Sequence, residues 1–116
     1  MSICMKIEFS SRKLAKICGD AKLATKEWGR DRCLKIFQRL TQLVAARTLD
    51  DYIRFVPGAR CHRLKGNRKG MYAISLNQPF RLIIEPSLVE PEMDDDMKYE
   101  ARVIGVRIVK VEDYHG

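Results

Sequence analysis

The order of sequence patterns predicts an α+β fold in which an antiparallel helical hairpin packs on an antiparallel β-sheet. A short alternating segment comes first, two segments with helical spacing follow, and the second half of the chain is rich in β-branched and alternating apolar residues. The chain has 116 residues, of which 46% are hydrophobic and 32% charged. This size and composition fit a single domain covering residues 1–116.

The N-terminal half contains a predicted strand and two predicted helices. Residues 5–9 alternate between apolar and charged, as in a strand with one buried face. Ser10 or Ser11 is the expected cap of the first helix and Gly29 its expected end, and Asp31 is the expected cap of the second. The apolar stripes are Leu14, Ile17, Cys18, Ala21 and Ala24 in the first helix and Cys33, Ile36, Phe37, Leu40, Leu43 and Val44 in the second. The two helices are therefore expected to pair as an antiparallel hairpin.

A short helical turn and a β-hairpin are predicted next. Thr48 begins a capping-box pattern, and Pro57 is expected to end the turn that follows. Residues 71–76 and 80–84 have the alternation of strands, and residues 77–79 have the composition of a turn. These two strands are expected to pair as a hairpin.

An acidic segment and a strongly apolar segment complete the chain. Residues 85–100 contain most of the acids of the second half, and together with Pro86 and Pro91 they predict a solvated loop. The loop lacks the glycine and the alternating ligands of a calcium site. Residues 103–111 carry apolar side chains on both faces, which predicts a strand inside the sheet.

Charge and cysteine content favour some classes of protein and exclude others. The formal net charge is +7, and residues 52–84 contain no acid, so an anionic partner is expected. No apolar run approaches the roughly 20 residues of a membrane span, and no signal core precedes the first strand, so a cytoplasmic protein is expected. The cysteines are Cys4, Cys18, Cys33 and Cys61. Their spacing predicts buried free thiols rather than a zinc site or disulfides, and no metal or cofactor is implied.

Two short segments carry the residues best suited to chemistry. Residues 60–70 combine five cations, a histidine and two glycines, although a tight turn within a solvated charge run would have the same composition. Residues 112–116 end the chain with Glu-Asp-Tyr-His-Gly, which could equally be a frayed polar tail. The only two histidines, His62 and His115, fall one in each segment. Metal-free RNA cleavage needs a base, an acid and cations for the phosphate, and the two segments together supply all three.

The ordered motifs resemble the HigB killer-protein branch of the RelE/ParE toxin superfamily. The resemblance is carried by Leu49-Asp50-Asp51, Pro57-Gly58, Arg60-Cys61-His62, Leu64-Lys65-Gly66-Asn67-Arg68-Lys69-Gly70, Ala73-Ile74-Ser75-Leu76, Arg81-Leu82-Ile83 and Asp113-Tyr114-His115. It implies a RelE/ParE-like fold and the toxin of a type II toxin-antitoxin pair. Such a toxin is a ribosome-dependent endoribonuclease, or mRNA interferase, that cleaves translated mRNA in the ribosomal A site. The implied partners are mRNA, ribosomal RNA and a HigA-like helix-turn-helix antitoxin, with no membrane.

The resemblance also implies a set of site residues. The catalytic set is His62, Lys65, Arg81, Asp113, Tyr114 and His115, and the RNA-binding set is Arg60, Arg63, Arg68 and Lys69. Lys65 and Arg81 are expected to stabilise the phosphate, and Tyr114 to position the nucleotide. Proton transfer is expected from His115 or His62 together with Asp113, and which histidine is the base stays open.

Two other functions stay open at this stage. A ParE-like gyrase poison would not need the proton-exchanging residues, so the two histidines and Tyr114 argue against it. A non-catalytic RNA-binding or accessory protein of a toxin-antitoxin locus would keep the basic segment and tolerate loss of His115. The chain itself shows no helix-turn-helix pattern, which favours a toxin over an antitoxin.

Overall fold

The structure, a computed structural model, describes residues 4–94 and 96–113. These residues form one five-stranded sheet, five α-helices and two short 3₁₀ turns. The elements in chain order are β1 (Lys6–Phe9), α1 (Arg12–Cys18), α2 (Ala21–Trp28), α3 (Arg30–Ala45), α4 (Leu49–Phe55), a 3₁₀ turn (Pro57–Ala59), β2 (His62–Arg63), a 3₁₀ turn (Gly66–Arg68), β3 (Tyr72–Ser75), β4 (Phe80–Val89), α5 (Tyr99–Arg102) and β5 (Val103–Asp113). The α+β class is confirmed.

The first predicted helix is two helices, so this part of the prediction is wrong. Ser11 caps α1 as expected, but α1 ends at Gly19, and Asp20 then caps α2 by accepting hydrogen bonds from two backbone N–H groups of its first turn. An aspartate cap begins a new helix even where the apolar spacing continues unbroken. Gly29 is the cap residue of α3, so Asp31 lies in the first turn of that helix and is not its cap.

The sheet is mixed rather than antiparallel, which corrects the second part of the prediction. Its strand order is β1-β5-β4-β3-β2, and β1 pairs in parallel with β5. Lys6 lies opposite Gly105 and Phe9 opposite Ile108, whereas the other three pairings are antiparallel. A four-residue alternating strand has the same pattern in both directions, so its sequence does not specify its orientation. The prediction that β5 lies inside the sheet is confirmed.

The predicted acidic loop is shorter than expected. β4 continues beyond Ile84 through Pro86 to Val89, and Glu100 belongs to α5. Proline cannot donate to a strand ladder, and Pro86 is accommodated where the register between β4 and β5 is irregular. Another irregularity in the register of this strand pair lies between Ile83 and Ile84.

The core lies between the helices and one face of the sheet. Thr48 caps α4 as predicted, its hydroxyl accepting a hydrogen bond from the Asp51 N–H at 3.1 Å, and this helix covers the sheet together with α3. The buried residues that pack together include Ile36, Leu43, Leu49, Tyr52, Tyr72, Ile74, Leu82, Ile84, Val106 and Ile108. Because side chains alternate along a strand, Ser75 and Arg81, which lie opposite each other, belong to the other face.

The thiols are less uniformly buried than predicted. Cys33 is buried, Cys18 and Cys61 are half-buried, and Cys4 is exposed, and all four are free. Burial raises the pKa of Cys61 to about 12 and that of Cys18 to about 11, so both thiols stay protonated at neutral pH. Among the helices of the described residues, none is long and apolar enough to cross a membrane.

Candidate functional site

A cleft of about 370 Å³ at the β2 edge of the sheet brings three of the predicted site residues together. Its lining consists of Arg60, His62, Ser75, Gln78, Pro79, Phe80 and Arg81. We call it the His62 cleft. His62 is the first residue of β2, Arg60 caps the 3₁₀ turn before it, and Arg81 lies at the start of β4, so the fold joins segments that are about twenty residues apart in the sequence.

The backbone at Arg60 fixes the position of His62. Arg60 has a φ of 50°, in the left-handed region that side chains other than glycine rarely adopt. In this conformation the chain turns out of the 3₁₀ turn and enters β2, and the Arg60 carbonyl oxygen lies 2.8 Å from His62 Nδ1. Holding such a residue left-handed costs about 1–2 kcal/mol, which the surrounding contacts must supply.

The contact with Arg60 also determines where the proton of His62 sits. A carbonyl oxygen only accepts, so Nδ1 donates the hydrogen in the 2.8 Å bond. In the neutral ring, Nε2 then carries the lone pair and is the basic nitrogen. The side chain is exposed, so a substrate hydroxyl can reach it.

Arg81 belongs to an ionic network that we call the Glu112 network, formed by Arg68, Arg81, Lys110 and Glu112. Arg81 Nη2 donates to Glu112 Oε2 at 3.0 Å, and Arg68 donates to both carboxylate oxygens at 3.0 and 2.7 Å. Lys110 Nζ lies 3.4 Å from Glu112 Oε1. The network ties the loop after β2 to β4 and β5. One carboxylate pairs with three cations, so the four side chains of the network together carry a formal charge of about +2 at neutral pH.

The charge of Glu112 contributes to stability in a defined pH window. Hydrogen bonds from Arg68 lower the pKa of Glu112 from 4.5 to about 2. Partial burial opposes this shift, and hydrogen bonds from Arg81 and Lys110 add to it. Because the folded pKa is depressed, the stabilisation is complete above about pH 5 and is lost as the pH falls from 4.5 to 2. Allowing for solvent screening at this partly exposed carboxylate, we expect it to be worth about 1–2 kcal/mol.

Glu112→Gln tests this contribution. We expect the variant to unfold with a free energy lower by about 1–2 kcal/mol at pH 7, and the difference to disappear near pH 2. Urea denaturation at several pH values measures it, with Glu92→Gln, an exposed carboxylate, as the control. An equal deficit at pH 7 and pH 2 would contradict an origin in the carboxylate charge.

Two other predicted catalytic residues, Lys65 and Asp113, are described by the structure and lie outside the lining of the His62 cleft. Lys65 is exposed in the loop after β2. Asp113 ends β5 opposite Phe80, which does line the cleft, so β5 carries the chain to the cleft boundary. The predicted site residues Tyr114 and His115 follow directly but lie outside the described residues.

The predicted RNA-binding residues are divided between different surfaces. Arg60 lines the His62 cleft, and Arg68 belongs to the Glu112 network. Arg63 and Lys69 line a second cleft of about 320 Å³, together with Leu64, Gly70, Tyr72 and Tyr99. We call it the Tyr99 cleft. The basic segment 60–70 is therefore not one continuous surface.

Sequence reasoning missed two arginines that organise the site, Arg32 and Arg39. The ring of Phe80 stacks under the guanidinium of Arg32, 3.3 Å from its centroid, and Phe80 forms one wall of the His62 cleft. Arg39 is buried and donates to the carbonyl oxygens of Ser75 at 2.9 Å and Gly58 at 3.2 Å. Arg39 lies three residues after the buried Ile36 and four residues before the buried Leu43, on the apolar face of α3. A cation at this spacing was the available signal for a buried arginine.

No group of three or more histidine, cysteine, aspartate or glutamate side chains is placed to hold a metal ion within residues 4–94 and 96–113. Glutamate side chains of these residues form ionic contacts with arginine and lysine instead.

Comparison with known proteins does not assign the chain to a family. No protein-family model, no curated protein and no solved structure matches it. Function is therefore inferred from the two clefts, the Glu112 network and the motifs of the sequence.

Proposed function

We propose that the chain is the toxin of a type II toxin-antitoxin pair, a HigB-like member of the RelE/ParE superfamily, and that it cleaves RNA by 2′-hydroxyl attack. The observation that carries the proposal is the His62 cleft. In it a histidine with a defined basic nitrogen shares one cavity with two arginines, Arg60 and Arg81. This combination suits a reaction in which a proton is removed while negative charge grows on a phosphate.

The proposed reaction begins with proton transfer to His62. Nε2 takes the proton of an RNA 2′-hydroxyl, and the 2′-oxygen forms a bond to the adjacent phosphorus. Arg60 and Arg81 stabilise the charge that develops on the phosphate oxygens. The bond from phosphorus to the 5′-oxygen then breaks, and that oxygen takes a proton from an acid. The products are a 2′,3′-cyclic phosphate and a 5′-hydroxyl.

The sequence motifs supply the candidates for the acid. They are Asp113, the last residue of β5, and His115, two residues further along the sequence, and the register that sets Asp113 opposite Phe80 supports a position of Asp113 beside the cleft. Lys65, whose side chain is exposed, is the further cation that the resemblance implies. Tyr114 is proposed to position the nucleotide.

Arg81 is well prepared to stabilise a phosphate. Its contact with Glu112 fixes the guanidinium before substrate arrives, so little reorganisation is needed during the reaction. The excess positive charge of the network attracts a second anion beside Glu112.

The walls of the cleft suit a nucleotide. Phe80 and Pro79 provide apolar surface against which a base can pack, and Gln78 offers an amide for hydrogen bonding. The guanidinium of Arg32 stacks on the Phe80 ring and holds it in place. A volume of about 370 Å³ lies within the usual range of ligand sites, about 300–1,000 Å³.

The proposed partners follow from the same motifs. They are mRNA in the ribosomal A site, ribosomal RNA and a HigA-like helix-turn-helix antitoxin, all in the cytoplasm. The net charge of +7 favours association with RNA.

The ends of the cleaved RNA test the proposal. We expect the chain, added to translating ribosomes, to produce 2′,3′-cyclic phosphate and 5′-hydroxyl ends, because the 2′-oxygen is the nucleophile. The ends are identified by their resistance to ligation and by mass spectrometry, and expression of the chain is expected to arrest growth.

Other outcomes would contradict the proposal in distinct ways. Ends with a 3′-hydroxyl and a 5′-phosphate would indicate metal-assisted hydrolysis. Growth arrest with intact RNA and inhibited gyrase would favour the ParE-like function, and RNA binding without cleavage would favour an accessory protein.

A further inference from the structure

The Tyr99 cleft is lined by two tyrosine rings and by two cations. Tyr72 and Tyr99 supply the rings, and Arg63 and Lys69 the positive charge. Tyr99 is 39% exposed, which leaves much of its ring available for contact. Gly70 has a φ of 95°, and the position of a hypothetical Cβ meets no atom within 4 Å, so the backbone side of the cleft is open.

The acid nearest to the cleft is neutralised by its neighbours. Glu100 Oε2 accepts hydrogen bonds from the Arg63 Nε and from the Tyr72 hydroxyl, both at 2.6 Å. Burial alone would raise the pKa of Glu100, but these two bonds outweigh it and hold the pKa below its ordinary value. Glu100 therefore stays ionised, orients Arg63 and Tyr72, and is itself compensated by Arg63.

Positive charge lies around the ring of Tyr99. The guanidinium of Arg63 is 6.0 Å from the ring centroid and that of Arg102 is 5.8 Å away. Arg102 is held by a 2.9 Å hydrogen bond from its Nε to the Glu90 carbonyl oxygen. Both guanidinium groups lie over the ring at distances longer than direct stacking, and an aromatic ring close to cations is an arrangement with which proteins hold an unpaired base and its phosphate.

The two clefts are connected by β2, a strand of only two residues at the edge of the sheet. Successive strand side chains point to opposite faces, so His62 and Arg63 project to different sides of this edge. A single strand of RNA that crosses the edge can therefore contact both clefts.

We propose that the Tyr99 cleft binds a second nucleotide of the RNA strand that the His62 cleft cleaves, with the base stacked on Tyr99 and the phosphate held by Lys69 and Arg63. The proposal rests on the proposed function, because it assigns both clefts to one substrate. The role of Tyr99 is in binding, since the proposed proton transfers take place on the other side of β2.

Adenosine 5′-monophosphate and ribose 5-phosphate are the probes that test the base-binding part on the full chain. We expect the nucleotide to shift the NMR signals of Tyr72, Tyr99 and Lys69 and to bind there about 5- to 100-fold more tightly than the sugar phosphate. Tyr99→Ala and Tyr99→Leu should abolish this difference, and Tyr99→Trp should retain it. Phe55→Ala is the matched control, because Phe55 is an exposed ring with an arginine, Arg54, 5.2 Å from its centroid.

Two results would overturn this part of the inference. Shifts confined to the His62 cleft would show that the Tyr99 cleft does not take a base. Equal affinity for the nucleotide and the sugar phosphate would indicate a surface that attracts anions only.

RNA cleavage tests the part that concerns a shared strand. For Tyr99→Leu we expect the RNA concentration at half-maximal rate to rise about 5- to 100-fold while the rate at saturation is unchanged. An unchanged concentration dependence, with normal cleavage, would overturn this inference and leave the proposed function standing. Absence of cleavage by the unaltered chain would overturn the proposed function, and nucleotide binding at Tyr99 would then still be measured independently.

Discussion

Replacing His62 with alanine or asparagine is expected to slow RNA cleavage by about 10²- to 10⁴-fold. Asparagine can keep a hydrogen bond to the Arg60 carbonyl oxygen, but neither residue has a nitrogen equivalent to the basic Nε2. The side chain is exposed, so the free energy of unfolding should change by no more than about 0.5 kcal/mol. Single-turnover cleavage and urea denaturation measure the two quantities.

The asparagine variant distinguishes a base from a structural residue. If His62 only holds Arg60 in its left-handed conformation, His62→Asn should stay active while His62→Ala loses activity. Lys22→Ala, a change at an exposed residue of α2, is the control for nonspecific effects. Full activity of His62→Asn would contradict the base assignment and move the proton transfer to the C-terminal residues.

The largest loss of stability is expected from Arg39→Ala. The guanidinium is buried, and it donates to the Ser75 and Gly58 carbonyl oxygens and to Gln42 Oε1 at 3.1 Å. Its removal leaves the two carbonyl oxygens without this donor and creates a cavity in place of a buried side chain, which together cost about 3 kcal/mol. For a chain of this size, that corresponds to a fall of about 10 °C in Tm, measurable by circular dichroism.

The same change is expected to weaken activity, because Ser75 lines the His62 cleft and Gly58 belongs to the turn before Arg60. Arg39→Met, which keeps most of the volume, should recover part of the stability but not the two hydrogen bonds. Arg30→Ala, at the exposed start of α3, should leave both properties nearly unchanged. A loss for Arg39→Ala no larger than that for Arg30→Ala would show that the two carbonyls find other partners.

Local sequence patterns predicted the secondary structure correctly where a single residue determines the start or end of a helix. Ser11 and Thr48 start helices as their side chains predict, and Gly29 separates the two longest helical segments. The break at Asp20 was missed because the apolar spacing continues through it. The parallel direction of β1 and the passage of β4 through Pro86 depend on contacts with β5, which no local pattern encodes.

The candidate site could be predicted only in part, for a similar reason. Composition and motif order identified Arg60, His62 and Arg81, which the fold brings to one cleft. The pairing of Arg81 with Glu112 depends on an irregular register between β4 and β5, so Glu112 could not be predicted as its partner. Arg63 and His62 line different clefts because successive side chains of a strand point to opposite faces, and this follows once both residues are known to lie on β2.

The parallel pairing of β1 with β5 determines when a growing polypeptide can complete this domain. Translation makes β1 first and β5 last, and the Ser10 hydroxyl donates a hydrogen bond to the carbonyl oxygen of Val109, 99 positions later in the chain. Until the final strand has emerged, β1 has no neighbour in the described sheet, and Glu112 is not yet present to hold Arg81. A polypeptide released early by interrupted translation therefore carries the helices and the basic loop without the assembled network.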